Sequence, residues 1–145
     1  MEKATTGLLT LFLLSLSMMA YSSELERVFL KSRMDPNAIT ITGVDIVFLY
    51  DEALVDEFPQ TKSRWYSMRR TLTQRYGDKM DIVSIFVPQG FDSETASLPD
   101  RRGDAVKAYV IAQHDDGSIA PYDVTERKDI SVFIDSFGII VTDTD

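Results

Sequence analysis

Residues 39–50, with the sequence ITITGVDIVFLY, constrain the fold of this chain more than any other segment. They are rich in β-branched and aromatic residues, which favour strands. The stretch from Ile46 to Tyr50 is apolar without interruption. A short continuous apolar run of this kind indicates a strand whose two faces are both buried. The segment therefore predicts a strand between two layers, with Gly43 marking a bulge or bend.

Several further segments have the alternation or the apolar content of strands. They are residues 80–88 (MDIVSIFVP), 105–113 (AVKAYVIAQ), and the two arms of a terminal hairpin, 130–134 and 139–142. Residues 24–31 are ambiguous, although a first strand is plausible there. Residues 51–59 predict a loop or a short helical turn. Five or six strands and one inserted helix predict a mainly β fold, an antiparallel β-sandwich with a helical insertion.

Residues 61–76 form the one clear helical segment of the sequence. Thr61 or Ser63 can cap its start, and Gly77 can end it. Apolar side chains recur at helical spacing and form one stripe: Trp65, Met68, Leu72 and Tyr76. The stripe predicts that this helix packs on the sheet with Trp65 as its anchor.

The opposite face of this helix is basic, with no acidic residue between Glu57 and Asp78. The cations on it are Lys62, Arg64, Arg69, Arg70 and Arg75. The whole chain has a net charge of −8, which would repel phosphate, so we expect no nucleic-acid partner. Two interpretations of the basic face stay open. It is either a solvated helix face or a patch for an acidic protein surface, in which Arg69 and Arg70 contact the partner.

The N-terminal segment has the pattern of a secretory signal peptide. Lys3 precedes an uncharged, Leu-rich run over residues 7–21, and small residues follow it. A membrane span needs about 20 apolar residues, so this run is short for one. We expect a signal peptide over residues 1–22, cleaved after Ala20 or Ser22, and a single domain over residues 23–145. An uncleaved N-terminal anchor is the alternative, and both place the domain outside the cytoplasm.

Little in the sequence points to catalysis. The chain has no cysteine and a single histidine, His114, which lies beside Asp115 and Asp116. Serine catalysis needs a nucleophile next to such a base, and no G-x-S-x-G motif marks one. The acidic residues lack the spacing of a calcium-binding loop. We expect a solvated loop histidine, no enzymatic activity, no metal and no cofactor.

The order of the segments carries a family resemblance that extends from Val28 to Val141. It rests on these stretches: 28–30 followed by 35–37, then 46–50, the helical stretch 58–75, 82–90, 105–113 and the hairpin 130–141. In this order they resemble the TssJ family, the small outer-membrane lipoproteins of type VI secretion systems. The resemblance implies a transthyretin-like β-sandwich without enzymatic activity.

The resemblance also implies a partner and a binding loop. Members of the family hold the periplasmic domain of the large inner-membrane subunit TssM, and the loop after the first strand makes much of that contact. Applied to this chain, the resemblance implies that the loop covers residues 32–38 and that the contact residues are Arg33, Met34, Asp35 and Asn37. Met34 is apolar in a polar loop, which suits an anchor, although it could equally fold back onto the core.

One feature departs from the family pattern. The family's lipoprotein signal ends in a cysteine that receives the lipid, and Ala20-Tyr21-Ser22-Ser23 stands at that place here. We therefore expect a periplasmic protein that associates with the outer membrane through its partners or through an uncleaved signal segment. The predicted function is a structural component of a type VI secretion envelope complex. The alternative is an exported β-sandwich that serves as a binding or immunity-type module unrelated to secretion.

Overall fold

The computed structural model describes residues 22–32, 42–87, 94–135 and 137–144. The strands in these ranges are β1 (Arg27–Ser32), β2 (Thr42–Leu49), β3 (Met80–Val87), β4 (Glu94–Thr95), β5 (Lys107–Ala112), β6 (Tyr122–Asp123), β7 (Asp129–Ile134) and β8 (Ile139–Asp143). Two α-helices, α1 (Glu52–Glu57) and α2 (Lys62–Tyr76), lie between β2 and β3. A 3₁₀ helix, Asp100–Asp104, precedes β5.

The strands form two four-stranded sheets, in the orders β4-β1-β7-β8 and β3-β2-β5-β6. Paired strands are antiparallel except β1 and β7, which run parallel with Arg27 opposite Asp129. The mainly β, two-sheet sandwich predicted from the sequence is confirmed. The parallel pair is a local departure from it. Because the chain passes through the second sheet between β1 and β7, no hairpin sets their relative direction.

Strand β2 is buried on both faces, as its apolar run predicts. Val44, Ile46 and Phe48 point into the core between the two sheets. Val47 and Leu49 point the other way and pack under the helices. All five side chains are fully buried. Burial of each contributes roughly 1.5–3 kcal/mol to folding, so β2 joins the sandwich core to the helical layer energetically as well as spatially.

Gly43 lies within β2 without a bulge, so the bulge, one of the two alternatives expected from the sequence, is wrong. The register runs unbroken across it, from Thr42 opposite Val87 to Val44 opposite Ile85. A Cβ at Gly43 would come within 2.8 Å of Gln113 Oε1. The atom in the way is the end of a flexible, exposed side chain, so this contact alone does not require glycine at position 43.

Helix α2 begins and ends where the sequence predicts. The Thr61 hydroxyl oxygen accepts a hydrogen bond from the Arg64 N–H at 3.3 Å, and Gly77 is the C-cap. Trp65 and Leu72 are buried against the sheet. The segment before α2 contains the short helix α1, which Asp51 caps. No helix in the described ranges is long and apolar enough to cross a membrane.

Candidate partner-binding surfaces

The four contact residues expected in the first loop, Arg33, Met34, Asp35 and Asn37, lie outside the described residues. The strands that flank this segment show where it leaves and rejoins the sandwich. Strand β1 ends with Ser32 opposite Ile134, and β2 begins with Thr42 opposite Val87. The described parts of two turns, residues 113–119 and 135–138, lie at this same end. We call these described turn residues the loop end.

Asp115 organises the loop end from inside. Its carboxylate is buried, and Oδ1 accepts a hydrogen bond from the Ile139 N–H at 2.9 Å. Its carbonyl oxygen accepts a hydrogen bond from Lys62 Nζ at 2.7 Å, which attaches the start of α2 to this turn. Gly138 has φ = 155°, and a Cβ there would collide with the Asp115 carboxylate. Burial raises the pKa of the Asp115 carboxyl above its ordinary value.

Phe137 is the most exposed large apolar side chain of the loop end. Its side chain is 91% exposed. The backbone beneath it is held, since Asp135 Oδ1 accepts hydrogen bonds from the N–H groups of Phe137 at 2.8 Å and Gly138 at 3.1 Å. An aromatic side chain presented on a hydrogen-bonded turn suits an interface anchor. The sequence identifies this hairpin but carries no signal that its aromatic residue points outward.

A buried carboxylate attaches α2 to the sheet. Asp45 lies on the helix-facing side of β2 and is 3% exposed. Its carboxylate accepts hydrogen bonds from the Trp65 indole N–H at 2.9 Å and from the Ser84 hydroxyl at 2.7 Å. Arg69 Nη1 lies 3.3 Å from the same carboxylate, and Arg69 Nη2 donates to Ser84 Oγ at 2.6 Å. The predicted anchoring role of Trp65 is confirmed, and its partner is Asp45, which no local pattern in the sequence identifies.

The structure separates the two arginines that the sequence treats alike. Arg69 is 34% exposed at its side chain and bound to Asp45 and Ser84. Arg70 is one residue further, about 100° around the helix, and its side chain is exposed. Within the described residues Arg70 has no ion pair. Arg70 is therefore available to a partner, whereas Arg69 already stabilises the fold.

The other cations of α2 divide in the same way. Lys62 binds the Asp115 carbonyl oxygen, and Arg75 Nη1 lies 3.5 Å from Glu57 in α1. Arg64 is exposed and, like Arg70, forms no ion pair with any described residue. Arg64 lies on the flank that also carries Arg75, whereas Arg70 lies on the flank of Arg69. The basic face is thus not one continuous free patch.

His114 differs from the expected solvated loop histidine. Its ring is half-buried, and Nε2 is buried without a hydrogen-bond partner among the described residues. Among the described residues, no three His, Cys, Asp or Glu side chains converge into a group that could hold a metal ion.

These features define a β-sandwich with a helical layer on one sheet and an exposed aromatic residue at one end. The sequence matches no protein-family model and no curated protein. The fold is similar to the crystal structure of the T6SS lipoprotein TssJ1 from Pseudomonas aeruginosa, with a TM-score of 0.51 and 10% identity, over 86% of this chain and 98% of that one. Lip from Serratia marcescens, described as a membrane-bound component of the Type VI Secretion System, is also similar. Its TM-score is 0.47 at 14% identity, over 82% of this chain and 98% of that one. The TssJ-like fold expected from the sequence is confirmed by the TssJ1 comparison.

Charge reversal should separate the roles of the two arginines. Arg69→Glu places a carboxylate beside the buried Asp45 and should lower the free energy of unfolding by about 2 kcal/mol or more. Arg70→Glu, on the exposed flank, should change it by less than about 0.5 kcal/mol. Urea denaturation followed by Trp65 fluorescence measures both. Equal destabilisation by the two substitutions would contradict the assignment of Arg69 to the Asp45 network.

The buried Asp115 carboxyl should make stability depend on pH in a defined direction. Because its folded-state pKa is raised, the unfolded chain ionises first as the pH rises past the ordinary value of 3.8. Wild-type stability then falls until the folded carboxyl has also ionised. Asp115→Asn lacks this titration and can still accept the Ile139 hydrogen bond. Its free energy of unfolding relative to wild type should therefore increase with pH above 3.8.

Asp116→Asn is the matched control for this titration. Hydrogen bonds from Ser118 lower the pKa of the exposed Asp116 carboxyl. The ionised Asp116 carboxylate therefore stabilises the fold above pH 3.8, and this contribution is lost as the pH falls through the lower folded-state pKa. The stability of Asp116→Asn relative to wild type should thus decrease as the pH rises towards 3.8. Urea denaturation over a pH series distinguishes the two, and slopes of the same sign would contradict the account.

Proposed function

We propose that this protein is a non-enzymatic structural component of a type VI secretion envelope complex, in which it docks the periplasmic part of an inner-membrane subunit. The observation that carries the proposal is the sandwich fold that this chain shares, over 86% of its length, with the T6SS lipoprotein TssJ1. Folds host many functions, so the surfaces must also fit a docking role.

The loop end supplies such a surface. Phe137 offers exposed aromatic area on a turn whose backbone Asp135 holds in place. At this end of the sandwich β1 ends and β2 begins. The segment that joins them carries the predicted contact residues Arg33, Met34, Asp35 and Asn37. Interfaces are typically anchored by a few aromatic, Met or Arg side chains surrounded by polar residues. A partner seated on this end could contact Phe137 and the first loop together.

The proposed location is the periplasm, in association with the outer membrane. The N-terminal pattern supports export, and the TssJ1 structure is that of a lipoprotein. Because this chain has no cysteine to receive a lipid, retention at the membrane would come from protein partners or from an uncleaved N-terminal segment. Contacts with a multi-subunit partner can supply retention through effective concentration.

Capture from cell envelopes tests the proposal. The tagged full chain is cross-linked in the cells that encode it, purified from solubilised envelopes, and its partners are identified by mass spectrometry. We expect an inner-membrane subunit of a type VI apparatus among them. Phe137→Ser and Met34→Ser should each reduce its recovery about tenfold, since each removes a candidate anchor.

Ile140→Ser is the matched control, because Ile140 is also an exposed apolar side chain but lies within strand β8. It should leave recovery unchanged. Capture of a lone toxin without any secretion subunit would favour the alternative, an immunity-type module. Recovery of no inner-membrane secretion subunit would contradict the proposed function.

A further inference from the structure

We infer that the outer edge of strand β3 is a second protein-binding surface, which accepts an extended acidic segment of a partner protein as an added strand. This surface is formed by β3 and the flank of α2 that carries Arg69 and Arg70. It is distinct from the loop end, and the inference does not depend on the proposed function.

The register shows which backbone groups β3 turns outward. The Tyr50 N–H donates to the Lys79 carbonyl oxygen at 2.9 Å, one step beyond the Leu49–Met80 pair. In an antiparallel ladder the hydrogen-bonded pairs alternate. The backbone groups of Asp81, Val83 and Ile85 therefore face β2. Those directed to the outer edge belong to Met80, Ile82, Ser84 and Phe86.

The other edges of the sandwich are protected. On β8, the Asp115 carboxylate accepts a hydrogen bond from the Ile139 N–H, and the Tyr122 hydroxyl donates one to the Ile139 carbonyl oxygen at 3.1 Å. The Arg127 guanidinium donates a hydrogen bond to the Val141 carbonyl oxygen at 3.4 Å. Strands β4 and β6 are two residues long. Short strands and side chains that occupy edge groups are the usual means by which proteins prevent strand addition.

Strand β3 has none of these protections among the described residues. It is eight residues long, MDIVSIFV, without proline or lysine. Its one charged residue, Asp81, is bound by Arg101 through two hydrogen bonds of 2.8 and 2.9 Å. No hydrogen bond from the described residues reaches the outward backbone groups of Ile82, Ser84 or Phe86. Ser84 is exposed and Phe86 is 62% exposed, so no other described residue covers these two positions of β3.

The neighbouring charges favour an acidic occupant. Arg69 contacts Ser84 on β3 and keeps a third of its side chain exposed. Arg70 is exposed on the same flank of α2 and has no ion pair within the described residues. A strand added to β3 would direct alternate side chains to this flank. Carboxylates at those positions would meet Arg70 and the exposed part of Arg69, whose charge is already paired with Asp45.

The same charges disfavour a second copy of this chain. An antiparallel pair of β3 strands with its two-fold axis at Ser84 would bring both copies of Arg69 to the axis, because each contacts its own Ser84. Like charges facing each other across an interface are unfavourable. Each chain also has a net charge of −8, which adds to the repulsion.

The test uses the purified full chain and two synthetic peptides, one of four Val-Glu repeats and one of four Val-Lys repeats. We expect the Val-Glu peptide to bind with a dissociation constant of about 1 mM or lower. The Val-Lys peptide should bind about tenfold more weakly. Fluorescence anisotropy measures the affinities. Hydrogen exchange should show new protection at the amides of Ile82, Ser84 and Phe86, whereas those of Val83 and Ile85 are already protected by β2.

Matched variants separate the contribution of the backbone from that of charge. Phe86→Pro and Phe86→Thr both remove the ring, but only Pro removes the outward N–H and obstructs an added strand. The Pro variant should bind about tenfold more weakly than the Thr variant. Arg70→Glu should reduce the preference for the acidic peptide about fivefold, whereas Arg64→Glu, on the other flank, should preserve it. Unchanged thermal unfolding verifies that each variant is folded.

Several results would overturn the inference. Absence of Val-Glu binding at about 1 mM would exclude the site. Equal binding by the Pro and Thr variants would exclude strand addition. Equal effects of the Arg70 and Arg64 substitutions would exclude the charge-based choice of occupant. A wild-type dimer in light scattering that Phe86→Pro converts to monomer would identify a second copy as the occupant.

Discussion

A buried carboxylate, that of Asp45, is the constraint on which the arrangement of helix and sheets depends. Removing a carboxylate from water costs several kcal/mol unless its oxygens receive hydrogen bonds or an opposite charge. Trp65, Ser84 and Arg69 provide these within 3.3 Å. Since Trp65 and Arg69 both belong to α2, the helix can satisfy Asp45 in one rotation and one position. This fixes which of its cations are held and which are free.

The consequences extend to both candidate surfaces. With Trp65 facing the sheet, Lys62 reaches the Asp115 turn and helps hold the loop end. Arg69 is held against Ser84 of β3, and Arg70, one residue further along α2, is left exposed. The surfaces proposed for partners are thus positioned by the interaction that secures the core. Asp115 contributes at the other sheet, where its carboxylate protects the start of β8.

Much of this fold could be predicted from local pattern, and the exceptions have a common cause. The apolar run of β2 and the stripe of α2 are properties of neighbouring residues, so periodicity reveals them. The role of Asp45 depends on donors 20 and 39 residues away, and the parallel β1–β7 pair joins residues 102 apart. Arg69 and Arg70 look equivalent until the direction of the sheet is known. Arg33, Met34, Asp35 and Asn37 stay predictions, because they lie outside the described residues.

Hydrogen exchange of the Trp65 indole N–H tests the central role of Asp45 most directly. The chain contains one tryptophan, so this proton gives a single, unambiguous signal in a nitrogen-resolved NMR spectrum. Because the indole donates to a carboxylate that is 3% exposed, its exchange should be as slow as that of the most protected β2 amides. Exchange as fast as in an unfolded chain would contradict the account, because it would show that the hydrogen bond from Trp65 to Asp45 does not hold α2 against the sheet.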